Sequence, residues 1–214
     1  MTDTTTVEDQ KSLPILGSED FRLRPLRLGD EAAILEYLSQ PEVIEHTSIS
    51  APTVESLTAF VQRDITAYAK STSFRFAVAA SDDRLIGICG FNSWSPAHRH
   101  AELAYDLAPQ YWGQGVMRRA VEAMLTWGFS ELGLNRVHAF VMTSNHRSIR
   151  LLERCGFSRE GTLREYRIAR GEPKDFHLYA LLAQDFARTA RGASPDPEMK
   201  RTPKAFGVVD LESR

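Results

Sequence analysis

The stretch Ala101–Leu132, AELAYDLAPQYWGQGVMRRAVEAMLTWGFSEL, decides the predicted fold. Residues 101–108 have the composition of a β-strand, and Pro109 ends that strand because proline cannot donate to a sheet ladder. The segment QYWGQG at 110–115 predicts a tight glycine turn, and a helix follows over about 116–132. The stretch therefore predicts a strand, a turn and a helix in direct succession.

The predicted helix is amphipathic, with an apolar side and a side on which polar residues recur every four positions. Gly133 follows it, at the place where a left-handed C-cap belongs. Such a helix buries one face and leaves the other in solvent. The apolar side consists of Val121, Met124, Leu125, Gly128 and Leu132, and the polar side of Arg118, Glu122, Thr126 and Ser130.

The turn before this helix has the chemistry of an anion site. The first N–H groups of a helix have no partner inside it, and the helix dipole adds partial positive charge. Gly113 and Gly115 carry no side chain that would hold a phosphate away from those donors. The turn contains no lysine followed by Ser or Thr, so it does not match the nucleotide-triphosphate loop, and Arg118 stands where the dinucleotide fingerprint has its third glycine. The two glycines alone are also typical of a plain strand-to-helix turn.

The sequence around the turn extends the interpretation. The pattern Gln110-x-x-Gly113-x-Gly115 resembles the (Gln/Arg)-x-x-Gly-x-(Gly/Ala) signature of the GNAT superfamily of acyl-CoA-dependent N-acetyltransferases. The segments AELAYDLAPQYWGQG and LGLNRVHAFVMTSNHRSIRLLERCGFSREGTLRE resemble its branch of ribosomal-protein N-terminal (serine/alanine) acetyltransferases. The resemblance is continuous over about 102–164 and weaker over 21–91.

The order of predicted elements agrees with that resemblance. It is strand, two helices, three strands, helix, strand, helix and two strands, which indicates a mixed α/β sheet. The resemblance implies a GNAT-type, mostly antiparallel central sheet with helices on both faces and a splayed cofactor cleft. Asp30 and Thr53 are predicted caps of the first two helices, Ser144 or Asn145 caps the last, and Gly156 ends it. The strands are predicted at 21–26, 74–80, 85–92, 101–108, 136–142, 157–167 and 175–182.

The resemblance also implies a set of residues that bind acetyl-CoA as co-substrate. Asn145 and Ser148 lie one helical turn apart, so both side chains can meet one ligand. The alternative for Asn145 is a helix cap. The full set is Leu107, Ala108, Gln110, Trp112, Gly113, Gln114, Gly115, Val116, Met117, Asn145 and Ser148.

Acetyl transfer to an amine needs a base for the acceptor and hydrogen-bond donors for the leaving sulfur. Glu102 matches the glutamate that the resembled branch uses as the base, and it shares one strand face with Ala104 and Asp106. Its alternatives are binding of the acceptor ammonium and a structural role. Many GNAT enzymes place a tyrosine acid where this chain has Leu152. The resembled ribosomal-protein branch instead favours a serine three residues after the asparagine, which implies Ser148 as the donor here.

Composition sets the remaining expectations for this 214-residue chain with net charge −2. We expect an N-terminal tail (1–17), an acetyltransferase domain (18–190) and a C-terminal extension (191–214). The charge gives no argument for nucleic acid or an anionic membrane, and neither a secretory signal nor a spanning stretch is apparent. Cys89 and Cys155 sit in apolar settings typical of reduced, buried thiols, which fits a cytoplasmic protein. We expect a monomer or a homodimer. No histidine pattern indicates a metal site.

The sequence thus predicts an acetyl-CoA-dependent N-acetyltransferase, and the resemblance favours the α-amine of a protein or peptide N-terminus as acceptor. The alternatives are a small amine, an amino acid or an antibiotic as acceptor, and a non-catalytic acyl-CoA-binding regulatory module. A third alternative, an unrelated nucleotide-binding α/β protein, is disfavoured because the sequence lacks the nucleotide-binding signatures at the glycine turn. The expected acceptor loops are 45–52, 93–99 and 165–174. A cluster of cations lies in or beside the third loop: Arg164, Arg167, Arg170 and Lys174. It is either a solvated basic loop or subunit contact, or a group that attracts an acceptor with carboxylate or acidic peptide character.

Overall fold

The computed structural model describes residues 16–18, 21–47 and 52–192. Its centre is an eight-stranded sheet in the order β1-β2-β3-β4-β5-β6-β8-β7, in which β5 and β6 are parallel and the other neighbours antiparallel. The mostly antiparallel sheet of the predicted fold is therefore confirmed. The strands are β1 Leu16–Ser18, β2 Phe21–Pro25, β3 Phe74–Ala80, β4 Leu85–Ser95, β5 His100–Leu107, β6 Arg136–Met142, β7 Ser158–Ala169 and β8 Glu172–Leu182.

Helices cover both faces of the sheet, as predicted. On one face Trp127 packs against Phe74, Phe76 and Phe91. On the other face the first three helices form a second apolar cluster with Ile88 and other sheet residues. The helices are α1 Glu31–Leu38, α2 Pro41–Ile44, α3 Val54–Ala69, α4 Val116–Ser130, α5 His146–Arg154 and α6 Ala183–Gly192.

The central stretch folds as its pattern predicts. Strand β5 ends at Leu107, a short 3-10 turn covers Pro109–Tyr111, and α4 follows the glycine turn. The apolar side of α4 is buried, and Gly133 adopts a left-handed φ of 62° after the helix. Helix α4 ends two residues before the predicted Leu132.

The parallel strands β5 and β6 separate after a short contact. They pair only over His100–Glu102 with Arg136–His138, while β6 stays paired with β8 along its whole length. The remainder of β5 pairs with β4 alone. This separation is the predicted splayed cleft, and it opens beside the second half of β5.

Several local predictions need correction. Asp30 stands at the N-cap position of α1, but its carboxylate accepts from the Arg24 guanidinium at 2.7 and 2.9 Å and from the Arg27 amide instead of capping the helix. Thr53 does cap α3, through a capping box with Ser56. Strands β7 and β8 extend toward each other until a two-residue turn, Arg170–Gly171, replaces the predicted loop.

Three elements were not predicted, and two of them bear on the expected domain ends. Strand β1 begins at Leu16 and pairs with β2, and α6 runs to Gly192, so both cross the expected boundaries. Helix α2 is the third. Residues 1–15 and 193–214 lie outside the described residues, and the domain boundaries stay a prediction. Within the described ranges, no helix is long and apolar enough to cross a membrane.

Candidate active site

The splay between β5 and β6 opens into two cavities that share part of their walls. The first has a volume of about 470 Å³ and extends along the glycine turn. The second, of about 610 Å³, extends toward α3 and β7. Because the two share wall residues, the cleft offers two approaches to one junction. Both are lined by His46, Thr47, Tyr105, Asp106, Asn145 and Ser148.

Most of the predicted acetyl-CoA residues line the first cavity. Ala108, Gln110 and Gln114 line neither one: Ala108 is buried in the core, and the Gln114 side chain donates to the Gln110 carbonyl at 2.7 Å. The structure therefore places these three in the framework of the turn and not on its cavity surface. The predicted residues in the first cavity are Leu107, Trp112, Gly113, Gly115, Val116, Met117, Asn145 and Ser148.

The turn leaves space for an anion at the start of α4. Gly113 and Gly115 have left-handed φ angles of 76° and 74°. A Cβ at Gly113 would meet nothing within 4 Å, and one at Gly115 would meet only the Arg119 guanidinium at 3.6 Å. Gly115 offers no side chain to cap the helix, so the first amides of α4 stay available. The geometry fits a pyrophosphate such as that of acetyl-CoA.

Arginines of α5 make the first cavity cationic. Arg147, Arg150 and Arg154 line it together with Arg118 of α4. The Arg147 guanidinium lies 3.8 Å from the centre of the Trp112 ring, whose N–H donates to the Leu107 carbonyl. These α5 arginines were missed from the sequence, although their spacing of three and four residues marks one helix face.

A hydroxyl pair occupies the junction of the cavities. The Tyr105 hydroxyl lies 2.7 Å from Ser148 Oγ. Burial raises the pKa of Tyr105, so its hydroxyl stays protonated at neutral pH. Asn145 Oδ1 accepts from the Ser148 amide at 3.0 Å, which confirms its role as the cap of α5. The sequence analysis did not select Tyr105, which alternation along β5 places on the face opposite Glu102.

Glu102 lines the second cavity with Ala104 and Asp106. The predicted strand face agrees with the packing of Ala101, Leu103 and Leu107 in the core on the opposite side of β5. Its Oε1 accepts from Arg167 and from Asn92, each at 3.4 Å, and its side chain is 20% exposed. Both hydrogen bonds are long, so the carboxylate remains accessible to a ligand.

Asp106 is a second carboxylate of the site that the sequence analysis did not select. Its Oδ1 accepts a short hydrogen bond from the Tyr37 hydroxyl and another from the Ile88 amide at 3.2 Å. Burial raises the pKa of Asp106 to about 6. Its ionisation is therefore coupled to the packing of α1 against the sheet.

The predicted basic loop does not act as one group. Arg167 lines the second cavity, where its guanidinium lies within 5.4 Å of three aromatic ring centres. Arg170 instead donates to the Ile44 carbonyl at 2.8 Å, and Lys174 pairs with Glu172. Arg63 and Arg75 of other elements join Arg167 in the cavity wall.

The cysteines show the features of core thiols. Cys89 and Cys155 are free and buried. Burial raises the pKa of Cys155 to about 12 and that of Cys89 as well, which disfavours a reactive thiolate. In the described part of the chain, no cluster of three or more His, Cys, Asp or Glu residues could hold a metal ion.

The sequence model of the acetyltransferase (GNAT) domain matches residues 20–158, well over half of the chain. The chain belongs to the GNAT acetyltransferase family. It is 34% identical to an uncharacterized N-acetyltransferase, p20, of Bacillus licheniformis, over 80% of this chain and 98% of the relative. It is 25% identical to the Escherichia coli ribosomal-protein-serine acetyltransferase, over 84% and 97%.

The fold comparison agrees. The crystal structure of Vibrio cholerae spermidine N-acetyltransferase in complex with CoA and spermine superimposes with a TM-score of 0.69 and 24% identity, covering 78% of this chain and 98% of its own. The family model and the relative p20 make this protein an N-acetyltransferase by family, while the structural likeness shows the shared fold.

Proposed function

We propose that this GNAT protein transfers the acetyl group of acetyl-CoA directly to the α-amine of a peptide or protein N-terminus. One observation carries the proposal: two cavities meet at the Tyr105–Ser148 hydroxyl pair, and one of them holds the Glu102 carboxylate. A donor and an acceptor that enter by separate approaches can meet there in one geometry.

The first cavity suits acetyl-CoA. The open amides of α4 and the arginines Arg147, Arg150 and Arg154 offer positive charge to its phosphates. The apolar walls at Leu107, Val116 and Met117 suit the pantetheine arm. The thioester supplies the acetyl group, and the chain's own residues orient it and move the acceptor's proton.

In the second cavity Glu102 takes the proton from the acceptor ammonium, which makes the nitrogen nucleophilic. The acceptor nitrogen must reach the thioester at the Tyr105–Ser148 junction. Glu102 and Tyr105 are three residues apart on β5, a Cα separation of about 10 Å, so the proton passes from the nitrogen to Glu102 through water. The Tyr105–Ser148 pair provides a hydroxyl that donates to the departing sulfur.

The charges of the second cavity favour a peptide over a polyamine. Three arginines line it: Arg167 pairs with Glu102 at 3.4 Å, Arg75 pairs with Asp64 of α3 at 2.7 Å, and Arg63 is the third. The wall carboxylates are Glu102 and Asp106. A polyamine places several cations among these arginines, whereas a peptide terminus carries a single ammonium that one carboxylate can bind. The proteins to which this chain is similar include both a ribosomal-protein-serine acetyltransferase and a spermidine N-acetyltransferase.

A free-thiol assay tests the proposal. We expect CoA release with peptides that begin with Ser or Ala and have a free α-amine, little release with spermidine, and none with the same peptides after N-acetylation. Glu102→Gln should lower turnover by roughly 10²-fold with acetyl-CoA affinity retained. Acetyl-CoA binding without CoA release from any amine would instead indicate a regulatory module, and faster release with spermidine would refute the peptide acceptor.

A further inference from the structure

A row of three histidines begins beside Glu102 and ends at the surface. His138 of β6 is the register partner of Glu102 across the parallel pair, and His100 shares the Glu102 face of β5. The ring centres of His138 and His100 are 5.6 Å apart, and those of His100 and His98 are 6.1 Å apart. His98 lies exposed in the turn before β5, while the other two are half-buried.

The surroundings of His138 keep it ready to accept a proton. Burial lowers its pKa, and the Glu102 carboxylate acts in the opposite direction. The other charged groups that act on it are His100 and the Arg136–Glu160 ion pair. A neutral imidazole next to a carboxylate is suited to receive the proton that the carboxylate has just taken.

The His100 ring leaves room for a bridging water. Its Nδ1 is buried without a protein hydrogen-bond partner in the described structure. A buried polar atom of this kind is normally satisfied by water. Among the described residues, no hydrogen bond joins the His100 ring to His98 or His138, so each transfer along the row passes through a water.

The proposed reaction releases a proton at Glu102 that needs a path to solvent. Every acetyl transfer to an ammonium leaves one proton that must depart from Glu102 before the next turnover. A peptide that fills the second cavity covers the cavity face of Glu102. The histidine row instead starts at the beginning of β5, away from the Tyr105–Ser148 junction.

We propose that His138, His100 and His98 conduct the acceptor's proton from Glu102 to solvent. This inference rests on the proposed function. An N–H bond of the ammonium breaks and the proton joins Glu102, then His138, and leaves through His100 and His98 to water or buffer. One proton leaves for each acetyl group transferred, with no change in oxidation state. The histidines act through Glu102 and do not contact the acceptor.

Buffer rescue separates a relay from a packing role. We expect His138→Gln to lower kcat about 10-fold or more in dilute buffer, with little change in the KM of the acceptor. Imidazole at high concentration should restore most of the loss across pH 6–9, because a mobile base replaces the missing one. The control is His177→Gln on β8, whose ring bonds the Thr162 hydroxyl and lines neither cavity. It should match the wild type.

A second measurement does not depend on turnover. NMR titration should show the pKa of His138 falling further in Glu102→Gln, because the carboxylate that raises it is gone. An unchanged titration, a wild-type kcat for His138→Gln in dilute buffer, or a loss that imidazole does not restore would each overturn the relay. If wild-type protein acetylates no amine, the proposed function fails by itself, and the titration still tests the coupling.

Discussion

Replacing Gly113 by alanine tests the anion site directly, because the same helix carries a matched control. Gly113 precedes α4 and Gly133 follows it, with left-handed φ angles of 76° and 62°. A Cβ would meet nothing within 4 Å at either position. The two substitutions thus impose similar backbone strain without a clash, but only Gly113 lines the first cavity.

The expected magnitudes separate strain from binding. A left-handed non-glycine residue costs roughly 1–2 kcal/mol, so each variant should lose that much free energy of unfolding. In a domain of this size such a loss lowers Tm by roughly 2–8 °C. At Gly113 the new methyl group also holds the phosphate away from an amide. A lost hydrogen bond to a charged group costs about 1.5–3 kcal/mol, which is about 10- to 100-fold in affinity.

Calorimetric titration with acetyl-CoA, together with thermal unfolding, measures both quantities. Gly113→Ala and Gly133→Ala should unfold at similar temperatures, while only Gly113→Ala should bind acetyl-CoA more weakly. Unchanged affinity in folded Gly113→Ala would refute the anion site. Equal loss of affinity in Gly133→Ala would show that the effect arises from stability and not from the turn.

Three further outcomes are expected. Tyr105→Phe and Ser148→Ala should each lower kcat, and the double variant should lose less than the product of the single effects, because the two hydroxyls act as one unit; multiplicative losses would contradict this. Asp106→Asn should gain stability relative to the wild type as pH rises from 3.8 to about 6, since burial raises the pKa of Asp106 and its ionisation then destabilises the wild-type fold. Urea unfolding across this range measures the difference in free energy of unfolding between the two proteins, and a constant difference would contradict the prediction. Gly128→Ala places a Cβ 2.8 Å from Phe91. It should lower the free energy of unfolding by about 1–3 kcal/mol with acetyl-CoA affinity unchanged, and an unaltered Tm would contradict that.

The sequence alone predicted the structure correctly wherever the local residue pattern and the tertiary packing favour the same conformation. The turn needs glycine at 113 and 115 because both adopt left-handed φ angles, and the apolar stripe of α4 has one face to bury. Alternation along β5 places Glu102 and Asp106 on the face opposite the core residues Ala101, Leu103 and Leu107. The predicted capping of α1 by Asp30 is wrong because the buried Arg24 guanidinium donates two hydrogen bonds to the carboxylate that would have capped the helix.

By itself the sequence determined the order of elements, the glycine turn and the candidates Glu102, Asn145 and Ser148. Only the tertiary structure decided what those residues contact. Tyr105 meets Ser148 because β5 leaves β6 after three paired residues, and no local pattern records where two distant strands separate. The alignment of His98, His100 and His138 likewise depends on the register of that parallel pair, which long-range packing sets.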